Sequence, residues 1–151
     1  MLIHELTHHQ CVEVLARTEI ARLACSRLDQ PYVVPIRFSY DADRNCLYGF
    51  SSLGRKIEWM RENPKVCVEV EDIVTNDRWT TLVIFGRYEE IDDAPELSGT
   101  RQRIWELFQQ RPQWWFPAAA KIGSRERHAM VIYRIHIDRM TGRRSLRDSS
   151  G

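Results

Sequence analysis

Neither sign of charge dominates this chain of 151 residues: 22 lysines and arginines stand against 21 acids, a formal net charge of +1. That balance gives no global electrostatic case for nucleic acid or an anionic membrane as partner. No apolar run approaches the roughly 18 residues needed to span a bilayer, and the N-terminus lacks the apolar core of a signal peptide. The four cysteines (Cys11, Cys25, Cys46 and Cys67) show no CxxC spacing and fall inside helix or strand patterns. They read as reduced packing residues in a cytoplasmic protein, with neither a disulfide frame nor a metal site. Missing too are a GxGxxG loop, a P-loop, a Ser-His-Asp or Cys-His constellation, internal repeats and low-complexity segments. What remains, 43% hydrophobic and 28% charged, is an ordinary globular composition, long enough for one domain with a real core.

The most informative stretch is LYGFSSLGRKIEWMRENP, Leu47 to Pro64. It opens as a strand, turns at Ser51-Ser52-Leu53-Gly54, and continues as a short helix carrying Ile57, Trp59 and Met60. Asn63-Pro64 stops that helix, since proline cannot continue it and restricts the residue before it. A helix N-terminus is electropositive and favours acids, yet the first turn here holds Arg55 and Lys56. Two cations and two hydroxyls around free backbone N–H groups make a poor helix start and a good anion cradle.

Around this stretch the chain reads as hairpins with inserted helices. Thr7 and Gln10 fit a capping box for a helix reaching about Arg17, with Cys11, Val12 and Leu15 inward. Ile20–Arg27 is a strand, Leu28–Pro31 its turn, and Tyr32–Tyr40 the cleanest alternation, with Tyr32, Val34, Ile36, Phe38 and Tyr40 on one face. Pro35 interrupts that strand, so it must be irregular or at an edge there. Asp41–Asn45 is a hairpin loop into Cys46–Ser51. Val66, Val68 and Val70 alternate with Cys67, Glu69 and Glu71, and Thr75–Arg78 is a second turn. Trp79–Ile91 is apolar on both faces at its centre, which predicts cover on both sides. Ala94-Pro95 starts a helix with Leu97, Ile104, Leu107 and Phe108 at helical spacing, weakened early by Ser98-Gly99. An irregular aromatic stretch follows from Arg111 to Gly123, then a strand over Ala129–Ile137. Residues 1–140 are expected as one domain and 141–151 as a polar, mobile tail. About six strands in antiparallel hairpins protect their edges best by closing, so a mainly β barrel with helices outside is the physical expectation. The doubly apolar strand and the aromatic loop suggest a second subunit.

RLAC at Arg22–Cys25, PYVVPIRFSYD at Pro31–Asp41, the segment Leu47–Asp72, WTTLVIFGRYEEI at Trp79–Ile91 and WWFPAA at Trp114–Ala119 occur in that order. Together they resemble the flavin-nucleotide-binding split-barrel proteins related to pyridoxamine 5′-phosphate oxidase, in the branch grouped with nitroimidazole-resistance reductases. The resemblance covers about Ile3 to Arg143. It implies a homodimer of six-stranded antiparallel split barrels with FMN in a cleft between subunits. Val34, Pro35, Ile36 and Arg37 would lie along the isoalloxazine edge. Ser51, Ser52 and Lys56 would hold the ribityl phosphate, with Arg55 as a second cation. Trp79, Thr80 and Thr81 would border the flavin, and Trp114 and Trp115 would reach toward the partner's cofactor. The activity implied is electron transfer from NADH or NADPH through the flavin to a small electron-poor substrate, with Arg37 the candidate for stabilising the reduced ring. No protein acid or base is named as catalytic, because the flavin carries that chemistry. The alternative is a module that holds FMN, haem or deazaflavin without turnover, since fold does not fix ligand. Haem would need an axial ligand, for which His128 is the candidate.

Other signals carry less. His4-Glu5-Leu6-Thr7-His8 spells H-E-x-x-H, but Thr7 as a helix cap leaves His4 before the helix. The acids Glu69, Glu71, Asp72, Glu89, Glu90, Asp92 and Asp93 sit at strand ends and read as a solvated face. Arg139, Arg143, Arg144 and Arg147 form a basic tail with no interleaved aromatic, a weak nucleic-acid signal. His136 reads as a strand-edge residue.

Overall fold

Thr7 starts the first helix as its sequence suggests: its hydroxyl accepts the Gln10 N–H, and the Gln10 side chain accepts the Thr7 N–H. In the computed structural model, which describes residues 2–110 and 130–147, this helix is α1 (His8–Arg17), preceded by β1 (Leu2–Glu5). Cys11, Val14 and Leu15 form its buried face; Val12, expected inward, is half-buried. β2 (Ile20–Arg27) turns at Leu28-Asp29, both with positive φ, into β3 (Gln30–Arg37). β4 (Ser39–Asp41), β5 (Cys46–Ser52), α2 (Arg55–Glu62), β6 (Lys65–Thr75) and β7 (Arg78–Glu90) follow. Pro95–Leu97 forms a 3-10 turn, and α3 (Ser98–Gln109) begins directly after it at Ser98-Gly99. β8 (Met130–Leu146) closes the described chain.

The strands form one antiparallel sheet in the order β3-β2-β6-β7-β8-β5-β4, with β1 added beside β8. The sheet closes on itself because one long segment serves both ends. As β3 it pairs with β2, and beyond the bend at Phe38 it continues as β4 and pairs with β5. Phe38 N–H donates to the Glu19 carbonyl at the bend. Ahead of the bend, β3 and β5 approach without a ladder between them. That is a split barrel, mainly β with helices packed outside, as the sequence predicts. Eight strands are seen where about six were expected, because the bend divides one strand and β1 was not anticipated.

Inside the barrel lie Leu23, Ile36, Leu47, Val68, Leu82, Ile84, Tyr133 and Ile135, closed by Val14 and Leu15 of α1 and by Ile57 and Met60 of α2. A smaller cluster of Cys46, Tyr48, Ile91, Ile104 and Phe108 packs α3 onto the other face of β5. Among the described residues, β5 is the strand covered on both faces by its own chain. On β7, Leu82 and Ile84 are buried, whereas Val83 and Phe85 remain 37% and 43% exposed. A bulge separates Phe85 from Gly86, where a Cβ would lie 2.4 Å from the His136 carbonyl oxygen.

Both termini differ from expectation. Leu2–Glu5, given no element from the sequence, forms a strand that pairs with Arg143–Leu146. Thr141–Leu146, read as a mobile tail, is the second half of β8, paired with β7, and Ser145 is fully buried there. The polar composition misleads because a strand end needs backbone partners more than apolar side chains.

A buried carboxylate ties α3 to the barrel. Asp41, 1% exposed, accepts from Arg103 Nε at 2.6 Å and Nη2 at 2.8 Å, from the Tyr48 hydroxyl at 2.8 Å and from the Arg44 N–H at 3.3 Å. The Arg103 hydrogen bonds outweigh burial and hold the Asp41 carboxyl at about 2. A carboxyl lowered on folding adds stability that is present above its unfolded value, about 3.9, and lost as the pH falls through its folded value. Urea denaturation across pH should therefore show this site losing about 2 kcal/mol between about pH 5 and pH 2. Arg103→Met, which strands a buried carboxylate, should cost about 3 kcal/mol at neutral pH and flatten that acid limb.

Candidate functional site

The cleft that matters most lies where the barrel fails to close. Pro35, Ile36 and Arg37 of β3, Phe50 of β5, Ile20 of β2 and Lys56 of α2 line a cavity of about 370 Å³. Each wall has a local cause. Pro35 sits on an edge strand, the place where a residue without an N–H is tolerated. Phe50 is held by Phe108 of α3, ring edge to ring face at 4.5 Å between centroids. α2 is anchored by Ile57 and Met60 in the barrel core, and Trp59 packs on Tyr32 of β3. That anchoring aims the first turn of the helix, and Lys56 with it, at the gap between β3 and β5.

The electrostatics of the cleft are uneven. Arg37 faces Glu19, Nη1 to Oε2 at 3.5 Å. Lys56 is half-buried and has no carboxylate partner among the described residues. Burial pushes its amine below the ordinary lysine value. α2 begins at Gly54 with no side-chain cap, so the N–H groups of its first turn have no partner from the helix itself. A half-buried cation beside open N–H donors is a site built for an anion.

The predicted residues divide. Pro35, Ile36, Arg37 and Lys56 come together in this cleft. Val34, on the same strand, packs against the barrel core instead. Ser51 is buried and its hydroxyl donates to the Ser52 carbonyl at 2.7 Å, while Ser52 is exposed. Arg55 leans away over the Tyr32 ring, 5.5 Å from its centroid. Trp79 and Thr80 line a different cleft, beside Arg17, Asp72, Arg78 and Arg144. Register places Pro35 opposite Arg22, Arg22 opposite Glu69, and Glu69 opposite Val83. Three strand spacings of about 4.8 Å therefore put β3 and β7 roughly 14 Å apart across the sheet. Thr81 lies opposite Glu71 on β7. Trp114, Trp115 and His128 lie outside the described residues.

Ile20 and Phe50 were missed as cleft residues. Each reads in sequence as one more strand hydrophobe, and only the gap between β3 and β5 turns them into walls. Of the weaker signals, His4 lies in β1 and His8 opens α1, so they share no helix. His136 meets Glu89, Nε2 to Oε2 at 3.1 Å. The acidic positions are largely engaged: Glu71 with Arg22 at 2.8 Å, Asp72 with Arg17 at 3.2 Å, and Glu90 with Arg61 at 2.8 Å.

Comparison with known proteins agrees with this architecture. The family model for pyridoxamine 5′-phosphate oxidase matches residues 7–144. An uncharacterized protein of Rhizobium meliloti is 37% identical over 146 residues, 95% of each chain. The crystal structure of a FAD-binding protein from Mesorhizobium loti is 35% identical, with a TM-score of 0.79 over 97% of this chain and 99% of its own. A putative 5-nitroimidazole antibiotic resistance protein from Bacteroides thetaiotaomicron shares the fold at 17% identity, with a TM-score of 0.67 over 95% and 89% of the two chains. With the split barrel, the ordered motifs and a match across most of its length, the chain belongs to the pyridoxamine 5′-phosphate oxidase-like family.

Proposed function

We propose that this protein is an FMN-binding flavoprotein that passes electrons from a nicotinamide donor to a small electron-poor substrate. The observation that carries the reading is Lys56: a cation drawn out of water, without a carboxylate partner among the described residues, at the open N-terminus of α2. A phosphate monoester satisfies the lysine and the first-turn N–H groups together, through charge-assisted hydrogen bonds. The cleft's volume is in the usual range for a small-molecule site, about 300 to 1,000 Å³. Its walls suit a planar ring with a polar rim: Phe50 and Ile20 offer apolar surface, and the backbone of Pro35 to Arg37 offers an edge.

In this reading Lys56, the first turn of α2 and the exposed Ser52 hold the phosphate, with Arg55 a step away over Tyr32. Bound FMN supplies hydride acceptance and donation. Arg37, fixed against Glu19, places a guanidinium on the same cleft to balance negative charge on the reduced ring. The protein works as a homodimer whose subunits share the cofactor cleft. Support for a second copy comes from Val33, Val83 and Phe85, apolar side chains left exposed on the outer face of the sheet.

Absorption of the purified protein before and after FMN is added tests the cofactor. Two flavin bands that survive desalting are expected, whereas a single intense Soret band or a failure to quench FMN fluorescence would sink the reading. Lys56→Ala should weaken FMN binding by about 2 kcal/mol, near 30-fold, by fluorescence titration. pH gives a second check. Phosphate pairs with protonated Lys56, so FMN affinity should fall as pH rises through the lysine's lowered value. In Lys56→Ala that alkaline limb should be flat.

A further inference from the structure

The cleft between β3 and β5 carries two cations on its walls, and the fold treats them differently. Lys56 has no carboxylate partner among the described residues, whereas Arg37 is answered by Glu19. If both cations served only to attract an anion, a carboxylate on one of them would work against binding. Nor do the local surroundings of Glu19 call for an acid. It follows Thr18, the C-cap of α1, and so stands at the helix end where the macrodipole disfavours negative charge. Yet the residue is firmly placed. Its carbonyl accepts the Phe38 N–H at 2.9 Å, and the next residue, Ile20, lies opposite Arg37 across the β2–β3 ladder. Glu19 therefore clamps the end of β3 twice, through the backbone at Phe38 and through Oε2, 3.5 Å from Arg37 Nη1. The Glu19 and Arg37 side chains remain only 33% and 38% exposed, so water screens their charges in part.

We propose that Glu19 is a positioning residue that sets the reduction potential of the cleft: it holds Arg37 at the wall while offsetting its charge, and so keeps a bound flavin ring a strong electron donor. The inference rests on the flavin reading above. Reduction gives the ring two electrons and, near neutral pH, one proton, so the ring gains one negative charge. A guanidinium alone on the wall would stabilise that charge strongly and hold the electrons back. Paired with Glu19, Arg37 keeps its planar hydrogen-bond donors on the cleft but projects a weaker field. The unequal treatment of the two cations then has a reason. Lys56 is left bare where a phosphate has to be held, and Arg37 is tempered where electrons have to leave.

The midpoint potential of the FMN-loaded full chain, read by equilibration with a reference dye, tests the proposal. Glu19→Gln keeps an acceptor for Arg37 and removes only the charge. It should favour reduced over oxidised cofactor by about tenfold, an upward shift of about 30 mV for a two-electron couple. Arg37→Gln should shift the potential downward by a similar amount. The double variant, which removes both charges, should return to within about twofold of the parent ratio. Glu19→Asp retains the charge and should move the ratio less than Glu19→Gln does. Failure of the chain to bind FMN overturns this proposal together with the flavin reading. FMN binding with a potential that Glu19→Gln leaves unchanged or lowers overturns this proposal alone. So does a double variant whose potential matches that of Arg37→Gln, because Glu19 would then act only as a clamp.

Discussion

The bend at Phe38 governs the rest of the molecule. A single segment, Gln30 to Asp41, has to pair with β2 at one end of the sheet and with β5 at the other. A strand can change partners only by breaking its ladder, and here it does so over one residue, whose N–H is taken by Glu19. The two pairings diverge from that point. Between them opens a gap that no strand ladder closes, and Ile57 and Met60 of α2 pack into the core beside it. The candidate site is a by-product of barrel closure: the geometry that seals the core leaves Pro35, Arg37 and Phe50 facing one another with a helix start beside them.

Buried polar groups show the same economy of position. Asp41 ends β4 just before the hairpin, where the chain needs a side-chain acceptor for the Arg44 N–H. Once buried by α3, its carboxylate requires a cation, and Arg103 supplies two parallel bonds. That pair joins the small outer cluster of Ile104 and Phe108 to β5 and so braces Phe50, a wall of the cleft. A fold contact far from Lys56 in sequence thereby fixes the shape of the site.

How much of this is legible in the sequence depends on range. The capping box at Thr7, the Leu28-Asp29 turn, the Val66–Val70 alternation and the stop at Asn63-Pro64 are local, each decided within a few residues, and the structure agrees with them. The Asp41–Arg103 pair spans 62 residues, and nothing in either neighbourhood announces it. The same reason hides β1 and the end of β8, segments without a local strand signal that become strands because each completes the other's backbone hydrogen bonds. Among the described residues of one chain the doubly covered strand is β5, while the outer face of β7, at Val83 and Phe85, stays open. β5, with Gly49 and two serines, looks less apolar than β7, but α3 packs on it and not on β7.

Half-burial is what turns a cation from decoration into evidence. An exposed lysine or arginine is solvated by water and needs no partner, whereas one drawn partly out of water is unfavourable until something polar or anionic replaces that water. Among the described residues six cations are half-buried: Arg37, Lys56, Arg101, Arg103, Arg134 and Arg144. Arg37, Arg103 and Arg134 each face a carboxylate, Arg101 donates to the backbone carbonyls of Asp92 and Ala94, and Arg144 donates to the Thr80 hydroxyl. Lys56 is left, with no carboxylate partner among the described residues. It opens into the cleft between β3 and β5. A count of charges, balanced almost to neutrality over the whole chain, hides this completely, because the information lies in which cation the fold has desolvated and left for a ligand to complete.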